Sequence, residues 1–188
     1  MKRIRYNAPV VLTFALISLG VLFLNKLTGG ASNQLCFSVY RSSLLSPFTY
    51  IRLFGHVLGH ANWEHYSSNM MMFLVLGPML EERYGSRNIL ILIAVTAVTT
   101  GVVHMILFPG VVLLGASGIV FAFILLSSIT GISQGEIPLT LIIVAVLYLG
   151  SQIVEGAAVK DNISQLSHVI GGVIGCICGY RFRGRAKR

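Results

Sequence analysis

The stretch Gly115-Ala116-Ser117-Gly118-Ile119-Val120-Phe121-Ala122-Phe123-Ile124-Leu125-Leu126 opens an apolar run that continues to Ser133. It follows an apolar connection, Phe108 to Leu114, containing Pro109 and Gly110. A Pro/Gly connection passing into an apolar run predicts a helix that starts near Ser117. Two readings of that serine stand side by side. Serine is a favoured helix N-cap, because its oxygen accepts free N–H groups of the first turn. A hydroxyl at the edge of a lipid-embedded run, flanked by residues too small to shield it, is also the kind of polar group that marks function.

The remainder of the chain places this run in a membrane. Of 188 residues, 55% are hydrophobic and 11% are charged, against a charged share of about 25% in soluble domains. So few charges cannot cover the surface of a soluble domain. Apolar runs recur at about 18 residues, the length that crosses ~30 Å of hydrocarbon. The chain therefore reads as an all-α integral membrane protein.

A net charge of +8 raises the question of nucleic acid, and its placement answers it. Lys2, Arg3 and Arg5 precede the first run, and Arg181, Arg183, Arg185, Lys187 and Arg188 follow the last. Short basic flanks beside spans mark the cytoplasmic side and also attract anionic lipid. With no recognition motif beside them, membrane lipids are expected as partners and nucleic acid is not. The three cysteines set no disulfide framework, and Cys176 and Cys178 read as small packing residues.

Residues 1–188 read as one domain of six spans. The first is about 9–25, retained and not a cleaved signal, since it is long for a signal core and lacks a small-residue cleavage site. An outer loop, 26–62, is long enough to hold interfacial structure. The remaining spans are about 63–80, 88–108, 117–133, 137–154 and 163–180, with a charged turn from Glu81 to Arg87. Six spans put both basic flanks on the cytoplasmic side. The starts of spans two, four and six then fall on the outer side.

Those three starts carry the unusual polar groups. His65 and Asn69 are four residues apart, on one helical face. At 1.5 Å per residue, Ser117, His65 and His168 all lie within about two turns of the outer surface. Each histidine alone is ordinarily a satisfied core residue; a hydroxyl, two imidazoles and a carboxamide at one depth suggest acyl transfer. A serine nucleophile needs a base to take its proton, and His168 fills that role if span six packs on span four. Ser167, Gly171, Gly175 and Gly179 form a small-residue strip at four-residue spacing, with Gly118 and Ala122 as a shorter match, the pattern that lets helices approach closely in lipid. No acid is spaced to complete a triad, which leaves a Ser117–His168 dyad. His65, Asn69 and the Ser117 backbone N–H are then the oxyanion donors. His56, His60 and His65 lack a His-Glu-X-X-His pattern and a carboxylate ligand, so no metal and no cofactor are expected. His60 is expected to support the outer loop by hydrogen bonding, and His104 is assigned no role.

From Arg52 to Tyr180 the chain resembles the rhomboid intramembrane serine proteases of the six-span bacterial type. The resemblance is carried by His-X-X-X-Asn (His65, Asn69), Glu-X-Arg-X-Gly-Ser (Glu81, Arg83, Gly85, Ser86), Gly-X-Ser-Gly (Gly115, Ser117, Gly118) and His-X-X-Gly-X-X-X-Gly (His168, Gly171, Gly175), in the family's order. It implies a six-helix rhomboid-like bundle in the bacterial plasma membrane that cleaves single-span membrane proteins near their outer boundary. Ser117 would be nucleophile, His168 base, and span five a lateral gate. The alternative is a catalytically silent family member that binds membrane clients. Two departures are visible. Phe121 stands where the family often has a tyrosine that stacks on the catalytic histidine, and the Trp-Arg pair common in the first outer segment is absent. The substrate and the oligomeric state are not legible.

Overall fold

The computed structural model describes residues 6–130 and 162–182, together with positions 139, 142, 143, 146 and 147. The long elements are α1 (Pro9–Leu27), α2 (Pro47–Gly55), α3 (Trp63–Tyr84), α4 (Ser86–Leu107), α5 (Ser117–Thr130) and α6 (Asn162–Phe182), with a π-helical turn at Asn33–Phe37. Span five, expected at 137–154, lies outside the described residues except for Leu139, Ile142, Ile143, Val146 and Leu147, which are helical.

Local chemistry sets the helix ends. Pro9 and Pro47 occupy first-turn positions of α1 and α2, where a missing N–H costs nothing. Asn62 caps α3 by accepting the His65 backbone N–H at 2.8 Å. The charged stretch from Glu81, expected as a turn, proves to be the last turn of α3, which runs to Tyr84. Its residues are good helix formers, and the reversal falls on Gly85 alone, at φ +83°, a region open to glycine.

Glu81 explains why that turn is held. Its buried carboxylate accepts the Val10 and Val11 backbone N–H groups at 3.0 Å each and the Ser86 hydroxyl at 2.6 Å. An acid at the N-terminus of α1 satisfies free donors and complements the helix dipole. One carboxylate thus ties together the starts of α1 and α4 and the end of α3.

The core is an aromatic ladder through three helices. Phe73 of α3 lies 4.8 Å from Phe14 of α1 and is stacked 4.9 Å from Phe123 of α5, ring centre to ring centre. Outward, Leu16, Ile17, Phe23, Met71, Val75 and Leu90 present large apolar side chains, a surface suited to lipid and not to water. Helices Pro9–Leu27 and Ser86–Leu107 are both long and apolar enough to cross a membrane.

Candidate active site

The loop before Ser117 is pinned from three directions. Val39 and Leu113 exchange backbone hydrogen bonds of 2.8 and 2.9 Å, the Gly115 N–H donates to the His56 carbonyl at 2.9 Å, and His104 Nε2 donates to the Val111 carbonyl at 2.9 Å. The Ala116 carbonyl accepts from Ile119 and Val120. Ala116 therefore sits at the cap position and Ser117 is the first helical residue. The N-cap reading of this serine does not hold, and Ser117 instead lines a cavity of about 750 Å³.

His65, Asn69 and His168 line the same cavity. His65 and Asn69 stand on consecutive turns of α3, and Asn69 Nδ2 donates to the His65 carbonyl at 3.0 Å. An amide nitrogen carries two hydrogens, so one remains for a ligand. His65 lies against the peptide just before the serine: a Cβ on Gly115 would come within 2.7 Å of His65 Nε2 and 3.9 Å of Asn69 Nδ2. Gly115 also has φ +124°, so both backbone and space require glycine.

On the other side, α5 and α6 are in near-backbone contact. A Cβ on Gly171 would run into the Gly118 carbonyl, and one on Gly175 into the Ala122 carbonyl. The close approach sets the Phe121 ring flat on His168, with centroids 4.2 Å apart and planes 7° from parallel. The candidate nucleophile, the two candidate donors and the candidate base thus come from three helices around one space.

Supporting residues other than His60 escaped the sequence. Asn62 is legible in hindsight from the spacing Asn-X-X-His, but His104 holds the loop by donating to the Val111 carbonyl and His56 holds it with its own backbone carbonyl, contacts that no side-chain pattern encodes. His56 Nδ1 bonds the Arg52 carbonyl at 3.1 Å and Nε2 meets Thr100 Oγ1 at 3.3 Å. His60 Nδ1 bonds the Leu58 carbonyl, and its ring meets His65 and Tyr66 edge-on. Burial holds both imidazoles down: His56, with His104 adding a little repulsion, is lowered to about 4, and His60, with His65 beside it, likewise to about 4. In the first connection the buried Arg52 lies over the Tyr40 ring, 4.4 Å from its centroid, and donates to Ser42 Oγ at 2.6 Å. A stacked cation therefore orders this segment without tryptophan. Among the described residues no group of three or more His, Cys, Asp or Glu side chains is arranged to hold a metal.

Comparison with known proteins bears on the family. A family model described as the rhomboid domain matches residues 47–185. Rhomboid protease GluP of Bacillus subtilis is 28% identical over 179 residues, covering 90% of this chain and 34% of that protein. Rhomboid-like protein 11, chloroplastic, of Arabidopsis thaliana is 24% identical over 132 residues, covering 63% of this chain and 47% of that protein. The chain therefore spans less than half the length of either relative.

Proposed function

The chain belongs to the rhomboid family, and from that premise we propose that it is an intramembrane serine endopeptidase that hydrolyses single-span membrane proteins near the outer membrane boundary. One observation carries the reading: Ser117, His168, His65 and Asn69 line one cavity, with an aromatic ring clamped on the imidazole.

The reaction follows from these groups. The Ser117 hydroxyl attacks a substrate carbonyl while His168 takes its proton. The resulting oxyanion is met by His65, by the second Asn69 amide hydrogen and by the Ser117 N–H at the positive end of α5. Collapse expels the amine, which receives the proton from His168 and leaves an acyl-enzyme. Water, deprotonated by the same imidazole, releases the acid and restores Ser117. The substrate helix must unwind first, because its amides are otherwise bonded internally, so helix-weakening residues near the cut favour cleavage.

The rest of the reading concerns placement. One domain of six spans, with Ile137 to Val154 as the fifth and a gate, puts both basic flanks in the cytoplasm and the cavity at the outer face of a bacterial plasma membrane.

The test is cleavage of a single-span reporter with a Gly-Ser pair near the outer boundary, by the chain reconstituted in vesicles. Ser117→Ala and His168→Ala are each expected to abolish the product. Cleavage that survives Ser117→Ala overturns the assignment, and an inert wild type that still binds the reporter points to the silent alternative.

A further inference from the structure

A second cavity lies away from the candidate active site, an open groove of about 560 Å³ between α1, α2 and α4. Val10, Thr13 and Ile17 line it from α1, and Ser86, Leu90 and Ala94 line it from α4. On each helix these positions recur at three- or four-residue spacing and so share one face. The gap exists because Ala94 and Ala97 are too short to fill it. Glu81 ties the two helix starts together, and α2 closes the other end with Phe54 and Leu58. There α2 packs so closely on α4 that a Cβ on Gly101 would come within 3.0 Å of Leu53 Cδ2. Both ends are thus fixed, while Ile17, Phe54 and Leu90 stay about half exposed along the groove.

Size and charge select the occupant. From Ser86 to Ala97 the groove follows α4 for ~16 Å. A helix ~10 Å across fills about 1,200 Å³ over that length, twice the volume present, whereas a single acyl chain is far thinner. The two ends also differ in polarity. Near the helix starts, Tyr6 Oη and Thr13 Oγ1 lie 3.0 Å apart, and exposed Arg87 follows Ser86. In sequence, Lys2, Arg3 and Arg5 lead into Pro9. The exposed acid of that region is Glu82, since Glu81 is buried with its three donors. Basic residues beside a span attract anionic headgroups, and an apolar groove below them accepts the attached chain.

We propose that this groove holds one acyl chain of an anionic phospholipid whose headgroup sits at the Arg87 end, cytoplasmic in the proposed topology. The chain fills the gap between α1 and α4 and braces the first helix against the bundle. The inference stands on the membrane setting and is independent of whether Ser117 is a nucleophile.

The test uses the full chain in phospholipid vesicles containing a trace of phosphatidylglycerol or phosphatidylcholine with a diazirine in one acyl chain. Adducts are mapped after illumination. Bulk lipid labels every apolar face, so the yield on residues 86–97 is divided by the yield around Met71 and Val75, which are exposed on α3. This ratio is expected to be at least about five-fold higher for phosphatidylglycerol, the worth of one basic residue at an anionic surface. Arg87→Glu, which reverses the charge at the mouth, is expected to bring the two probes level. Ala94→Trp fills the groove and is expected to abolish the excess, with Ala94→Leu intermediate. Arg87→Glu leaves the groove's lining intact, so it decides the question if Ala94→Trp fails to fold. Equal groove labelling by the two probes, or an excess unchanged in Arg87→Glu or in a folded Ala94→Trp, overturns the site.

Discussion

The ring of Phe121 lies flat on His168, 4.2 Å between centroids and 7° from parallel. Phe121 is one helical turn past Ser117, so the contact transmits the position of the candidate nucleophile's helix to the candidate base. The ring does this by packing alone and has no hydroxyl to add.

Removing the ring should therefore loosen the imidazole without removing any reacting group. Phe121→Ala is expected to lower kcat about tenfold, the worth of a stacked aromatic pair, with KM little changed. Phe121→Tyr keeps the stack and should stay within about twofold of wild type. Steady-state cleavage kinetics separate these outcomes.

The glycines of α6 offer an internal control. Gly171 faces the Gly118 backbone, whereas a Cβ on its neighbour Gly172 would meet the Leu125 side chain at an ordinary 3.6 Å. Gly171→Ala must push α5 and α6 apart and is expected to cost about 2 kcal/mol of stability and nearly all activity. With no tighter neighbour for that Cβ among the described residues, Gly172→Ala is expected to cost little of either. Unfolding in detergent, run beside the cleavage assay, reads both.

The fold and the candidate site were unequally legible in the sequence. Apolar runs and basic flanks mark a helical membrane protein because lipid permits few backbone solutions, and glycines at four-residue spacing give away a close helix pair. The charges from Glu81 read as a turn, yet they form the last turn of α3, and Glu81 is buried where three donors converge on it. The hold of His56 and His104 on the loop before Ser117 was invisible, since a backbone carbonyl leaves no trace in side-chain pattern.

Glu81 makes a stability prediction distant from the cavity. It accepts from Val10, Val11 and Ser86, and Glu81→Ala leaves those donors without their partner. The expected loss is about 3 kcal/mol, with Glu81→Gln intermediate because its nitrogen cannot accept. A melting experiment with the purified protein measures the series.

Acid should destabilise the protein through His56 and His60. Both titrate near 6.5 when unfolded and at about 4 when folded, so the unfolded chain binds more protons between those values. Stability is expected to be full above pH 6.5, to fall from pH 6.5 to 4 and to level off below. Each ring contributes at most about 3 kcal/mol. His56→Gln should flatten that slope in denaturant titrations repeated across pH.

The account stands most directly on whether Ser117 is a nucleophile driven by His168. Intact-mass measurement of the purified protein after exposure to a fluorophosphonate decides this. One adduct is expected, located on Ser117, absent from Ser117→Ala and formed far more slowly in His168→Ala. An adduct on another residue, or labelling of His168→Ala at the wild-type rate, would contradict it.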